Sequence, residues 1–493
     1  MSSLVRGSAT YTVGNVIARL GSFLLLPVYV RLLTRDEFGI VALVTSLVGL
    51  LRIVYTLGMD GALMRLHFDV SDEDRPRLYA TLAAFAVGVA GLISVLLGVG
   101  LGPFFETVFF GLPFQPYGVL ALAIAFVGAL DFVPAVMYRA REQPMRFLLF
   151  SVGSFVAAAA LSVLFVVLGW GAVGVLLGQL IGGAAVMLFS AVVGIWPSRF
   201  RFDVSVLGPA LKFGAPLLPH QLGAWFLRLS DRWLIGLLLA IPLVDRLGAI
   251  GAYSLGYQLG YIVAIVGLSF NAAWTPVFYR VGNGPHGPPF LRDMVTVTAG
   301  GFVVLAAALA IMAPEIVEVL ARPGYEVAAV VLPIVAFASA FQGIYTMFVS
   351  VIFLRRRTLI LPLITAASAA ANIGLNLLLI PIFGVVGAAW STLAAYVLFA
   401  ALTYAAASRM YPIRPDWGRL AGIFFVGVGG SALGYALSVR STLGSTIADL
   451  AAFAVTATIC LLLVRAPVAR LRHLGPLLDA ARGSGLEPVP ATS

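Results

Sequence analysis

The sequence predicts an all-α polytopic membrane protein with about fourteen transmembrane helices, and three observations carry that expectation. First, 61% of its 493 residues are hydrophobic and 11% are charged, against about 25% charged in soluble chains. Second, apolar runs of about 20 residues recur along almost the whole length, each long enough to cross a hydrocarbon core of about 30 Å as a helix. Third, alternation at strand period is absent. In lipid, backbone groups find no water, so a spanning segment must be a helix or part of a closed barrel. Without alternation, the helix remains.

The first run, 9–31, carries Asn15 and Arg19 near its middle and no small-residue cleavage site, so it reads as a spanning helix rather than a cleavable leader. Next come 38–58 and 78–100, separated by the charged loop 59–77. The runs 116–137, 147–168 and 172–195 complete a first half. A second half follows with 213–240, 249–272, 294–314, 327–353, 358–381 and 386–408, and two more runs, 419–439 and 447–464, close the set. No loop is long enough to fold alone. The tail after Pro467 has a weakly amphipathic stretch, Val468–Ala481, expected on the membrane surface or without fixed structure.

Orientation follows from where the basic residues fall. With the N-terminus in the cytoplasm, 22 of the 31 basic residues lie on the cytoplasmic side, five on the other side and four within helices. The positive-inside rule then places both termini in the cytoplasm.

An internal repeat is visible. FGIVALVTSL at 38–47 matches IGAYSLGYQL at 250–259, an offset of 212, and GAVGVLLGQL at 171–180 matches GVVGAAWSTL at 384–393, an offset of 213. The shared offset predicts two six-helix bundles, 1–196 and 213–408, related by a pseudo-two-fold along the membrane normal. A C-terminal transmembrane hairpin at 419–465 and a cytoplasmic tail at 466–493 follow. Such repeats place a substrate site between bundles.

Four arginines fall inside predicted spans: Arg19, Arg52, Arg228 and Arg232. Each costs about 2.5–3.5 kcal/mol at a helix centre, so each needs a wet cavity or a partner. The functional reading is a cationic cavity for an anionic substrate, because a guanidinium grips phosphate oxygens bidentately and stays charged. The alternatives are structural ion pairs, or snorkelling to the interface, which Arg52 could do. Asp231 stands beside Arg232 and three residues from Arg228, as a charge-balancing or ion-coupling carboxylate. Asp131 is a second intramembrane carboxylate, suited to a coupling ion or to a bond with a neighbouring helix.

Helical spacing supports a lined cavity. Ser8, Thr12, Asn15, Arg19 and Ser22 form one stripe, Thr45, Gly49, Arg52 and Thr56 a second, and Gln221, Ala224, Arg228 and Asp231 a third. Tyr253, Tyr257 and Tyr261 recur at four-residue steps and could stack on sugars, pack, or form an interface belt. Ordinary helix packing accounts for the small and hydroxyl members equally well.

Other chemistries find no support. Cys460 is the one cysteine, so no intramolecular disulfide exists. The four histidines lack ligand spacing, and no cofactor or metal is expected. GWGAVG at 169–174 opens a membrane helix with no strand before it, so it is packing rather than a nucleotide loop. The LRRR run at 354–357 marks topology, not nucleic-acid binding.

LLLPVYVRLLTRDEFG at 24–39, FNAAWTPVFY at 270–279 and ANIGLNLLLIPIFGVVGAAWSTLAAY at 371–396 give the chain a family likeness. It resembles the polysaccharide exporters of the superfamily that also holds multidrug and toxin exporters and lipid-linked precursor flippases. Asn372, Asn376 and Pro381 look like that family's eleventh and twelfth helices. The resemblance implies a two-bundle transporter of the bacterial inner membrane with a cleft that opens to each side in turn. It implies a cargo, a polyprenyl-diphosphate-linked glycan, flipped for a surface polymer such as O-antigen, lipopolysaccharide or exopolysaccharide. Partners would be membrane lipids and a polymerase and chain-length regulator, with no nucleic acid. The expected substrate-binding set is Arg19, Arg52, Arg228, Arg232, Asn15, Gln221 and Tyr257, with Asp231 and Asp131 for coupling or charge balance. Rivals are a multidrug antiporter of the same fold and, further off, a membrane glycan polymerase or ligase.

Overall fold

A computed structural model of the chain describes residues 21, 23–194, 202–438 and 444–483. Asn15 and Arg19, with Ser8, Thr12 and Ser22 of the same predicted stripe, lie outside the described residues. Every regular element described is helical.

After the apolar helix Phe23–Leu32 come α1 (Arg35–Thr56), α2 (Met59–Leu66), α3 (Arg75–Gly100), α4 (Val119–Leu130), α5 (Phe132–Ala140), α6 (Pro144–Val167) and α7 (Gly171–Gly194). Then follow α8 (Leu207–Gly214), α9 (Leu218–Leu238), α10 (Leu243–Gly260), α11 (Ile262–Val281), α12 (Gly287–Ile311) and α13 (Ala313–Leu320). The series ends with α14 (Glu326–Leu354), α15 (Ile360–Phe383), α16 (Val385–Met410), α17 (Trp417–Ser438) and α18 (Gly444–Gly483).

Twelve stretches among the described residues are long and apolar enough to cross a membrane, and the chain is a multi-pass membrane protein. They coincide with twelve of the fourteen predicted spans. The other two are the first, which is described only in part, and α9, whose Arg228, Asp231 and Arg232 lower its hydropathy.

Several elements depart from the sequence reading, among them a helix at Leu207–Gly214 in the predicted loop 196–212 and a break at Tyr261 in the predicted span 249–272. The predicted loop 59–77 contains α2, which buries Met59, Ala62 and Leu63. Their three- and four-residue spacing is that of a helix, partly hidden among charges. The single predicted span 116–137 breaks at Asp131 into α4 and α5. Pro134 has no N–H for the Leu130 carbonyl, so the ladder fails there. Finally, the last helix continues beyond the predicted end at 464 to Gly483.

The chain packs as two compact units. The first takes in the chain as far as Leu255, with Val317–Ala328 and Thr365–Ser391. Within it, α1 is the central strut. Its start is fixed by a capping box: the Glu37 N–H donates to Thr34 Oγ1 at 3.2 Å, and the Thr34 N–H donates to Glu37 Oε2 at 2.8 Å. Near that end α1 meets α10 so closely that a Cβ on Gly39 would strike the Leu247 carbonyl. At mid-length it meets α9, where Trp225 Nε1 donates to the Ser46 carbonyl at 2.9 Å and Trp233 Nε1 to Ser46 Oγ at 2.7 Å. A cluster of Met59, Leu63, Leu78, Leu82, Val136 and Met137 packs α2, α3 and α5 together.

The second unit takes in Gly256–Ile316, Ala329–Ile364 and the chain from Thr392 onward. Its core is larger and centres on α12 and α14, with Leu291, Phe302, Met347 and Ile352 buried alongside Phe278 of α11 and Ile423 of α17.

Candidate functional site

A cavity of about 420 Å³ opens within the first unit, inside the range of about 300–1,000 Å³ usual for small-ligand sites. Segments of six helices, α1, α2, α4, α5, α6 and α9, build it. Arg52 and Thr56 come from the last turns of α1, Asp60 from the first turn of α2, Asp131 and Phe132 from the α4–α5 break, and Phe147, Phe150, Ser151 and Ser154 from α6. Gln221 enters from α9.

Local structure explains each position. The break at Asp131 turns its carboxyl into the cavity. Gly128, one turn earlier, leaves room for the Arg52 guanidinium: a Cβ there would sit 2.9 Å from Arg52 Nε. Asp60 lies in the first turn of α2, where the unsatisfied N–H groups favour an anion.

The electrostatics are mixed. Arg52 Nη2 stands 3.8 Å from Asp131 Oδ2, and the two side chains are 47% and 28% exposed. That is a loose ion pair in a solvated setting, a class that contributes about 0–1 kcal/mol. Asp131 Oδ1 and Asp60 Oδ1 are buried and accept no hydrogen bond. The cavity thus offers one accessible guanidinium, two carboxylate oxygens awaiting donors, hydroxyls, an amide and aromatic faces.

A second polar cluster in the same unit surrounds Asp231, which is fully buried. Tyr253 Oη donates to Asp231 Oδ2 at 2.6 Å, and Asn376 Nδ2 donates to Oδ1 at 2.9 Å. Asn372 Oδ1 accepts from the same Asn376 amide at 3.2 Å. Arg232 is buried, donates to the Arg228 carbonyl at 3.2 Å and lies 6.0 Å over the Tyr253 ring.

Of the residues singled out in the sequence, the cavity brings together Arg52, Asp131 and Gln221. Arg232 and Asp231 belong to the second cluster, and Arg228 is exposed on α9 and is not part of the cavity wall. Tyr257 lies in the second unit, buried and stacked on Tyr261 at 6.0 Å. Sequence reasoning missed Asp60, because it read 59–77 as a loop. It missed the α6 wall because Phe147, Phe150, Ser151 and Ser154 look like ordinary membrane-helix residues. Asn372 and Asn376 were legible only as a motif.

The sequence matches the family described as polysaccharide biosynthesis protein over residues 4–281, more than half of the chain. The chain belongs to the polysaccharide biosynthesis protein family. No curated protein matches it. Among solved structures, this family member is similar to the lipid II flippase MurJ in an inward closed conformation, with a TM-score of 0.69, 13% identity, and coverage of 92% of this chain and 98% of that one. It is also similar to a mutant of the Vibrio cholerae MATE transporter VcmN, with a TM-score of 0.56, 17% identity, and coverage of 83% and 97%. An inward-facing multidrug resistance MATE transporter gives a TM-score of 0.55 at 15% identity, covering 83% and 94%. At these identities the likeness concerns the fold alone.

Proposed function

We propose that this chain is a flippase that carries a polyprenyl-diphosphate-linked oligosaccharide from the cytoplasmic to the periplasmic leaflet of the bacterial inner membrane. The observation that carries this reading is the cavity beneath Arg52. With both termini cytoplasmic, the residues of that cavity lie toward the cytoplasmic ends of their helices, where such a cargo is loaded. The half-exposed, loosely paired guanidinium suits a diphosphate, which offers several strong acceptors in place of the distant Asp131. Asp60, Asp131, Gln221, Ser151 and Ser154 suit sugar hydroxyls, and Phe132, Phe147 and Phe150 suit sugar faces. Arg19 and Asn15, from the same predicted stripe, would extend the anion site, and Arg228, Arg232 and Tyr257 the cleft of the second bundle. Asp131 and Asp231 are the coupling or charge-balancing groups.

Transport is by alternating access between the two six-helix bundles. The close crossing of Gly39 with α10 forms one of the seams that must part. A potential negative inside favours outward movement of two negative charges by about 4–5 kcal/mol at 100 mV, enough to drive much of the cycle. The test is leaflet-resolved accumulation of lipid-linked glycan in a deletion strain. Restoration by the wild-type chain and failure by Arg52→Ala at equal membrane level is the expected result. Full restoration by Arg52→Ala would sink the reading.

A second reading has one specific observation behind it. Two carboxylates, Asp60 and Asp131, share the cavity with a single arginine, and that balance suits a cationic drug. Resistance of cells expressing the chain to cationic compounds, with no glycan phenotype, would favour an antiporter.

A further inference from the structure

The cavity around Arg52 holds one carboxylate that its own walls leave unmatched. Asp131 has Arg52 beside it, but Asp60 Oδ1 is buried and accepts no hydrogen bond. Asp60 sits in the first turn of α2, which packs on α3, α5 and α8. The basic side chains of these helices are engaged elsewhere or exposed. Arg65 pairs with Asp69, Arg75 with Asp72 and Arg77 with Asp74. Arg139 donates to the Ala135 carbonyl at 3.1 Å and lies 5.8 Å over the Phe147 ring, and Lys212 is exposed on α8. On the α6 side, Arg146 donates to Gln143 Oε1 at 3.3 Å. On α9, next to Gln221, His220 Nδ1 lies 3.0 Å from Thr365 Oγ1.

The neutral wall leans the same way. Thr56, four residues before Asp60, donates its hydroxyl proton to the Arg52 carbonyl at 2.9 Å, and Ser151 donates to the Leu148 carbonyl at 3.3 Å. Both hydroxyls therefore offer lone pairs to the cavity rather than protons. A ligand that fits must bring donors. Charge narrows the choice further. A diphosphate brings two negative charges. Arg52, together with Arg19, which lies outside the described residues, would match those two and no more. Asp60 and Asp131 are left over. Sugar hydroxyls would satisfy their lone pairs but leave two carboxylates facing an anionic cargo. An ammonium group supplies three donors and a positive charge at once.

We propose that the glycan bears a protonated amine on a sugar near the diphosphate, and that Asp60 selects it. The inference rests on the flippase reading and names the class of cargo within it: a lipid-linked amino sugar, with its diphosphate on Arg52 and its ammonium on Asp60. Acetylating the amine removes the charge and two of the three N–H donors, so an N-acetylated sugar loses this contact.

The test uses two synthetic short-chain polyprenyl-diphosphate glycolipids, one carrying glucosamine and the other N-acetylglucosamine. Their binding to the purified full chain in lipid nanodiscs is measured by thermophoresis, with and without magnesium. The wild type should bind the amine probe about 10- to 100-fold more tightly, the worth of one hydrogen bond to a charged group. Asp60→Asn should erase that preference by weakening the amine probe, and Arg52→Ala should weaken both probes. Equal affinity of the wild type for the two probes overturns the proposal while the flippase reading stands, whether or not that binding needs magnesium. A preference that survives in Asp60→Asn also overturns it. Binding of neither probe sinks the flippase reading, and this inference with it. Should Asp60→Asn fail to fold, the wild-type comparison of the two probes decides alone.

Discussion

Two arginine–aspartate pairs in this protein use the same chemistry to opposite ends. In the first unit, Arg52 and Asp131 stand 3.8 Å apart, and both face the cavity. In the second, Arg470 of α18 grips Asp293 of α12 through Nε and Nη2, both at 2.7 Å, while Arg292 adds a third bond at 3.1 Å. Asp293 is 2% exposed. The tight pair satisfies a buried anion completely and fastens the extended last helix to the core. The loose pair leaves an orphaned oxygen and an accessible cation, which is what a partner-exchanging site requires. Geometry, not residue type, separates the fastened pair from the one proposed to meet cargo.

The tight pair should carry the largest effect. Arg470→Ala should destabilise the protein by about 3 kcal/mol, the low end for uncovering a buried charge because Arg292 remains. Thermal unfolding in detergent measures this, and a shift within error would mean that α18 is not fastened there. Arg52→Ala should do the reverse. Stability should change by at most about 1 kcal/mol, while glycan export falls about 10- to 100-fold, the worth of a lost charge-assisted contact of about 1.5–3 kcal/mol. Arg52→Lys should recover only part of that export, since an ammonium lacks the planar fork.

Asp131→Asn sharpens the loose pair further. Removing the internal counter-charge should raise affinity for a diphosphate-bearing lipid a few-fold and slow its release, read as tighter binding with lower turnover. Unchanged binding would make Asp131 a purely structural neighbour. The smallest effect belongs to a third polar contact, outside the spans. His67 is 1% exposed and its Nδ1 lies 2.6 Å from Tyr79 Oη. Burial, then the nearby Arg75 and Arg141 charges, holds its pKa below the usual 6.5. The native state therefore binds fewer protons there than the unfolded chain. Its stabilisation is fully present above about pH 6.5 and is lost as pH falls. His67→Gln should flatten that acid-side slope in an unfolding-against-pH series, a fraction of the Arg470→Ala effect.

How much of this was legible in one dimension differs by element. The helices were, because the penalty for unpaired backbone in lipid forces long apolar runs into one conformation. α2 was half legible, its apolar spacing set among charges. The cavity was legible in Arg52, Gln221 and Asp131, where polar residues interrupt apolar spans, but Asp60 and the α6 wall carry no such contrast. The tail after Pro467 reads as weakly amphipathic and loose, and only the packed structure reveals Arg470 anchored 177 residues away in sequence.

Sequence alone determined the helical class and the near-count of spans, because hydropathy and backbone hydrogen bonding are local properties of the chain. Tertiary structure alone decided which partner each charge meets and whether Arg52 is clamped or available. Those outcomes depend on ångström-scale distances between helices, and no pattern along the chain encodes them.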